Sequence, residues 1–473
     1  MKFALASLLL LPTLYAQQLT SDEVRTIVVN AASAAAGEGM AVAVVDRPGN
    51  VLAIFRRSQA TDTDVEKALS LARTGAFFSN ESTPLSSRTV RSISRVNFPE
   101  GIPNQPAGAL YGIENTNRGC DFNVTYIPGQ EVPRPLSATG TPYSMGIATV
   151  PGGLALFRNG TTVVGGVGVS GLGSDDLNEY AAVIGGSSQI VKLPLPDPGS
   201  VYIDGFRLPF VFFGPFLSQA PFLKLPAGLR PGSAPAEPFQ LGPLDGKPAP
   251  EGWLVGPAAG SKLSLSDVTT IVQNAIDTAN RTRAAIRLPV GKRARMVISV
   301  SDLDGTILAL YRMPDSTIFS IDVALTKARN VVYFSGPDRD PADLPGVPLN
   351  TAVTNRTIGF GSQIFFPSGI FNSKPGPFFD MYNADIANPC TQGHQPANPN
   401  QSGIVFFPGS APLYHGAQLV GGLGVSGDGV EQDDYVTSGG TLGFEAPIGI
   451  RADQIFIRGV RLPYFKFPRN PEQ

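Results

Sequence analysis

Val42-Ala43-Val44-Val45-Asp46-Arg47-Pro48-Gly49-Asn50-Val51-Leu52-Ala53-Ile54-Phe55-Arg56 returns about 256 positions later as Ile298-Ser299-Val300-Ser301-Asp302-Leu303-Asp304-Gly305-Thr306-Ile307-Leu308-Ala309-Leu310-Tyr311-Arg312. Asp46 corresponds to Asp302, and Gly49 to Gly305. Each stretch reads as a β-hairpin, turning at Pro48-Gly49-Asn50 or at Asp304-Gly305. Solenoid repeats recur every ~20–50 residues, so a repeat of this length means two whole domains. Any function must come from one domain type used twice, or from the seam between the copies.

The duplication extends outward from the hairpins. Upstream, Val24, Ile27, Val28, Ala31 and Ala35 mark one face of an amphipathic helix behind Ser21 or Asp22. Val268, Ile271, Val272, Ala275 and Ala279 do the same behind Ser266. Downstream, a second helix is predicted near 64–78 and 321–334, where Ala68-Leu69-Ser70-Leu71-Ala72-Arg73 matches Ala324-Leu325-Thr326-Lys327-Ala328-Arg329. Phe98-Pro99-Glu100-Gly101-Ile102 then matches Phe366-Pro367-Ser368-Gly369-Ile370. Aperiodic Pro/Asn-rich insertions follow near 103–142 and 371–402, a length often found in functional or covering elements. Val163-Val164-Gly165-Gly166-Val167-Gly168-Val169-Ser170-Gly171 repeats as Leu419-Val420-Gly421-Gly422-Leu423-Gly424-Val425-Ser426-Gly427, and each copy closes on a predicted strand, 201–209 or 455–463.

The expected organisation is a signal peptide at 1–17, domain 1 at 18–213, a Pro/Gly-rich linker at 214–262 and domain 2 at 263–473. The linker reads as extended chain, packed through Phe213, Phe216, Phe222 and Trp253. Lys2, a short apolar core and the small Ala16 before Gln17 are the marks of a secretory signal, which places the protein in a secreted or periplasmic setting. No later segment reaches the ~20 apolar residues of a membrane span. A net charge of −2 without a basic run argues against nucleic acid. Cys120 and Cys390 each lie in the insertion of their own copy. In an oxidising compartment they can close one disulfide across the two domains, two free thiols being the other reading.

The shared order of helix, hairpin, Ala-rich helix, Phe-Pro-x-Gly-Ile and Gly-Gly-x-Gly-Val-Ser-Gly resembles the GlcG/HbpS family of haem-degrading or haem-binding proteins, which includes the C-terminal domain of PduO. The resemblance covers both halves except signal, linker and insertions. The second copy is nearer the family pattern, through Lys327-Ala328-Arg329 and Gly427-Asp428-Gly429-Val430-Glu431-Gln432-Asp433. It implies an α+β fold, two tandem profilin-like domains, each an antiparallel sheet of about five strands flanked by helices. It also implies higher oligomers, and haem as the ligand of some members.

Gly166-x-Gly168-x-x-Gly171 and Gly422-x-Gly424-x-x-Gly427 match a dinucleotide fingerprint as text. Their place near the end of each copy instead suggests strands whose glycines allow close packing. A helix N-terminus after Ser170 or Ser426 could otherwise hold an anion such as a propionate. Haem iron takes His, Cys, Met or Tyr, and the only histidines are His394 and His415. Tyr414 and His415 are therefore the axial-ligand candidates, while the first copy offers only residues such as Tyr111, Tyr126 and Tyr143. The matched pairs Arg73/Arg329 and Arg88/Arg356 can clamp a carboxylate or tie helix to sheet. Lys327, Arg329, Arg356, Ser426 and Asp433 complete the candidate ligand set. No zinc motif, nucleophile elbow or catalytic constellation is present. Three readings follow: a binding module for haem or another carboxylate-bearing small molecule, an assembly protein whose tandem domains mimic a homodimer, and an enzyme acting on haem or a small organic acid.

Overall fold

The computed structural model describes residues 18–129, 144–189, 200–212, 230–233, 240–241 and 246–473. The expected signal peptide, Tyr143, Phe213, Phe216 and Phe222 lie outside these.

The first copy runs α1 (Ser21–Ala34), β1 (Ala41–Asp46), β2 (Val51–Arg56), α2 (Asp62–Phe78), α3 (Ser87–Ser92), β3 (Gly153–Arg158), β4 (Thr162–Ser170), α4 (Asp175–Gly185) and a small hairpin of β5 (Tyr202–Ile203) and β6 (Phe206–Arg207). α1 starts one residue earlier than Ser21 or Asp22 as caps would require: Thr20 caps it, in a reciprocal box with Glu23. β1 alternates strictly. Ala41, Ala43 and Val45 pack on Ala68, Ala72 and Ala76 of α2, while Val42 and Val44 pack on Val24, Val28 and Ala31 of α1 and Ala181 of α4. This period-2 pattern sandwiches the sheet between helices on both faces.

Two linker strands follow, β7 (Gln240–Leu241) and β8 (Gly252–Val255). The second copy then repeats the order as α5 (Leu265–Arg281), β9 (Met296–Ser301), β10 (Ile307–Arg312), α6 (Phe319–Ser335), α7 (Asn355–Gly361), α8 (Phe379–Ala387), β11 (Ser410–His415), β12 (Gln418–Gly427), α9 (Val430–Gly440) and the hairpin β13 (Phe456–Ile457) and β14 (Val460–Arg461). Ser264, not Ser266, caps α5, boxed with Asp267.

The sheets have the same order, β3-β4-β1-β2-β7 and β11-β12-β9-β10-β8, and every pairing is antiparallel. The linker thus supplies an edge strand to each sheet. The ladder needs only its backbone groups, so a Pro/Gly-rich segment can serve. Trp253 stands edge-on to Tyr311 at 4.9 Å. The closing segments are also corrected: each is a two-stranded hairpin apart from the main sheet, turning through positive φ at Asp204-Gly205 and Arg458-Gly459.

One apolar core crosses the seam. Ala72, Phe77, Leu85 and Val90 share it with Ile286, Phe319, Ile321 and Leu325. The Phe78 and Phe319 rings stack at 4.0 Å with 10° between their planes. Burying one such ring stabilises by roughly 1.5–3 kcal/mol. α6 has no side-chain cap, and the Ile318 N–H just before it donates to Phe77 O at 3.0 Å. The inserted loops clasp each other. Cys120 and Cys390 form a disulfide with Cα atoms 5.4 Å apart, Phe371 N–H donates to Asn104 Oδ1 at 3.0 Å, and Tyr111 stacks on Tyr382 at 5.1 Å.

Candidate functional site

The matched arginines do the same work in both copies. Arg73 Nε donates to Gly49 O at 3.1 Å and Arg329 Nε to Gly305 O at 2.9 Å, tying helix to hairpin turn. Arg329 also reaches across the seam to Phe122 O at 2.8 Å. Arg88 pairs with Glu179 at 2.9 Å, and Arg356 with Asp434. These guanidinium groups are engaged within the fold.

Tyr414 is buried in a core cluster of the second copy, and burial raises its hydroxyl pKa. His415, next along the strand, is exposed and lies against Phe444 at 5.2 Å. His394 is held by Asp343 at 2.7 Å, a contact that raises its pKa. In the first copy, Tyr111 and Tyr126 are stacked or packed inside the protein.

Lys327 and Asp433 differ from these. Lys327 is fully buried; its Nζ donates to Val425 O at 2.8 Å and to Asp433 Oδ2 at 3.2 Å. Burial lowers the Lys327 pKa. Burial also pushes the Asp433 carboxyl up to about 7, against the pull of the Lys327 ammonium. Asp433 is 2% exposed, yet its Oδ1 makes no hydrogen bond. An unsatisfied buried acceptor costs about 1–3 kcal/mol. Ser426, on β12 beside it, donates to Ser320 Oγ at 3.0 Å.

Asp433 and Ser426 both line a cavity of about 910 Å³ at the seam. The first copy contributes Phe78, Leu85, Val90, Leu110 and the β5–β6 hairpin; the second contributes Ile286, Leu288, Phe319 and the start of α9. The volume lies within the ~300–1,000 Å³ usual for small-molecule sites. Its wall depends on a feature that the repeat lacks in the first copy. There α1 reaches β1 through residues 35–40, whereas 282–295 join α5 to β9. This longer loop is gripped by the other half: Leu288 N–H donates to Thr83 Oγ1 at 3.0 Å and Asn80 Nδ2 to Ile286 O at 3.4 Å. Its Arg287 is neutralised by Asp315 at 2.5 Å and by Asp428. Arg283, Lys466 and Arg469 also line the cavity. Lys466 and Arg469 are exposed and Arg283 is half-buried; Lys466 is paired with Glu431, which also lines the cavity, so the charge toward solvent is mixed while the interior is mostly apolar.

Of the candidate ligand set, the cavity therefore gathers Ser426 and Asp433, with Lys327 behind Asp433. Arg329, Arg356, Tyr414 and His415 do not line it. Its apolar walls leave little trace in the sequence; Ile286 and Leu288, an apolar pair in a segment without periodicity, are the available signal. Among the described residues, no group of three or more His, Cys, Asp or Glu is placed to hold a metal ion, and no helix is long and apolar enough to cross a membrane.

The family model described as "Haem degrading protein HbpS-like" matches residues 19–185 and 263–441. The chain belongs to the HbpS-like family. Both matches fall on the two structural copies and leave out the linker that supplies β7 and β8. Solved structures similar to this HbpS-like chain include a PduOC–haem complex, at 19% identity over 40% of this chain and 98% of that one, with a TM-score of 0.25. Klebsiella pneumoniae protein ORFY matches at 18% identity over 39% of this chain and 91% of its own, also at 0.25. HbpS matches at 21% identity over 40% and 98%, with a TM-score of 0.21. A sequence search of curated proteins returns no match.

Proposed function

We propose that this HbpS-like chain is a secreted binding protein that holds an apolar, carboxylate-bearing small molecule in the seam cavity, and that haem is the member of that class to test first. The observation carrying the reading is the cavity itself: apolar walls from both halves, with Arg283, Lys466 and Arg469 among its lining. Family membership supports haem as the first candidate. The lining suits a porphyrin in kind: apolar side chains for its faces and cations for its propionates. Among the described residues, Tyr202 is the one lining residue of a type that ligates haem iron; it is 57% exposed on the β5–β6 hairpin. Bound haem would supply a redox-active iron; the chain's own residues supply enclosure and charge.

Haemin titration followed at the Soret band tests the reading. A saturable shift is expected in wild type, greatly weakened by Val90→Trp, which fills the cavity, and altered in shape by Tyr202→Phe. His415→Ala and Tyr414→Phe should leave it intact. No saturable shift in wild type would exclude haem, and a shift indifferent to Val90→Trp would move the site elsewhere.

The assembly reading also has an observation in its favour. The core that spans the seam, together with the Cys120–Cys390 bond, is what a covalent mimic of a homodimer would need. It predicts one compact species by sedimentation with no ligand required.

A further inference from the structure

Asp433 and Ser426 are among the residues on the inner side of the seam cavity. Asp433 Oδ2 is taken by Lys327, while Oδ1 is without a partner. Ser426 gives its hydroxyl hydrogen to Ser320, which leaves its lone pairs for an incoming group. Lys327 holds the other Asp433 oxygen: its ammonium donates to Val425 O and Asp433 Oδ2, and it does not line the cavity. The first copy is an internal control. At the positions of Lys327 and Asp433 it carries Leu71 and Asn178, and Asn178 Oδ1 accepts from Leu172 N–H at 3.0 Å. The orphaned acceptor occurs in the copy whose helix faces the cavity.

We propose that the cavity recognises a ligand with two unlike ends: a carboxylate met by Arg283 and Arg469, and a hydroxyl or amine that donates to Asp433 and Ser426. This rests on the cavity being a binding site. The unpartnered Asp433 Oδ1, with Ser426 beside it, favours a donor on the ligand, because buried polar groups are generally satisfied. The ligand class is thus a hydroxy- or amino-carboxylate with an apolar body. A metallated porphyrin has no hydrogen on its pyrrole nitrogens, so it would satisfy the outer end and leave the inner end unmet.

Calorimetric titration of the full chain above pH 7, where the Asp433 carboxyl is ionised, with decanoate, ω-hydroxydecanoate and ω-aminodecanoate tests this. The two donor-bearing probes should bind roughly tenfold or more tighter than decanoate, the range set by one hydrogen bond to a charged group. Lys327→Leu/Asp433→Asn installs the first copy's own pair, which that copy already accommodates. It should abolish the preference for the donor-bearing probes. Ser426→Ala should reduce the preference without disturbing the ion pair. Val90→Trp should weaken all three probes alike. Equal wild-type affinities, or a preference that survives the double variant, would overturn the two-ended ligand while leaving the cavity as a site. Failure of every probe to bind would overturn both.

Discussion

At the joint between central helix and glycine-rich strand, the two copies share a backbone and differ in polar content. A Cβ on Gly168 would sit 2.0 Å from Ala68 O, and one on Gly424 would sit 2.0 Å from Ala324 O. Both helices therefore lie directly on the strand, and the glycines serve packing. Around that common frame the first copy places Leu71 and Asn178, the second Lys327 and Asp433. The first copy starts α2 with a Thr61–Asp64 capping box, while α6 starts against Phe77 of the other half. The lesson is that symmetry of frame does not carry symmetry of site. The cavity arises where the 282–295 loop and the Lys327–Asp433 pair meet the seam.

The largest effect should fall on the shared frame, and equally on both copies. Gly168→Val and Gly424→Val must each lift a helix from its strand, costing more than about 4 kcal/mol in denaturant unfolding. A small cost in one copy alone would show that the joints are not equivalent. Next comes Lys327→Leu, which leaves Asp433 buried without its counter-charge at a cost of about 3–5 kcal/mol. Adding Asp433→Asn should restore most of that loss, because the pair then matches the first copy. A double-mutant cycle with no coupling would mean that the two groups do not act as a pair.

Cys120→Ser/Cys390→Ser asks whether the halves are one unit. The bond spans 270 positions, and its loss should cost about 2–4 kcal/mol. The core across the seam should still keep unfolding to a single transition by circular dichroism and fluorescence. Two separated transitions would show that the disulfide, not the core, couples the copies.

Much of the frame was legible in sequence because it is written twice. The periodic apolar positions of α1 and α5, the hairpin turns and the matched arginines each recur, and recurrence identifies what the fold needs. The edge strands β7 and β8 were not legible, because pairing uses backbone groups and leaves no side-chain period. The closing hairpins read as single strands because their turns, Asp204-Gly205 and Arg458-Gly459, interrupt otherwise β-rich runs. The candidate site was legible only in part. Ser426 and Asp433 stood out as polar residues in or beside a repeated motif. Tyr414 and His415 carry ligand chemistry, which says nothing about which way a strand turns them. The cavity walls come from segments about 200 positions apart, such as Leu85 and Ile286, and only the folded seam brings them together.

A pH dependence should also distinguish the copies' two pairs. In wild type, burial raises the Asp433 carboxyl from 3.8 to about 7. Between about pH 4 and 7 the native state therefore holds a proton that the unfolded chain has released. With more protons bound in the native state, stability falls as pH rises through that window. The contribution is fully present below the unfolded value and gone above the folded one. Other buried carboxyls, such as Asp46 and Asp322, titrate in the same direction, so absolute curves cannot isolate it. The difference between wild type and Lys327→Leu/Asp433→Asn can, since those carboxyls are common to both. Urea midpoints of the two proteins, measured from pH 4 to pH 7, should show wild type losing stability relative to the double variant as pH rises. Parallel curves would mean that Asp433 stays ionised throughout, with the Lys327 ammonium outweighing burial. The second copy's pair would then be a fixed ion pair, leaving Asp433 an acceptor at every pH in that range.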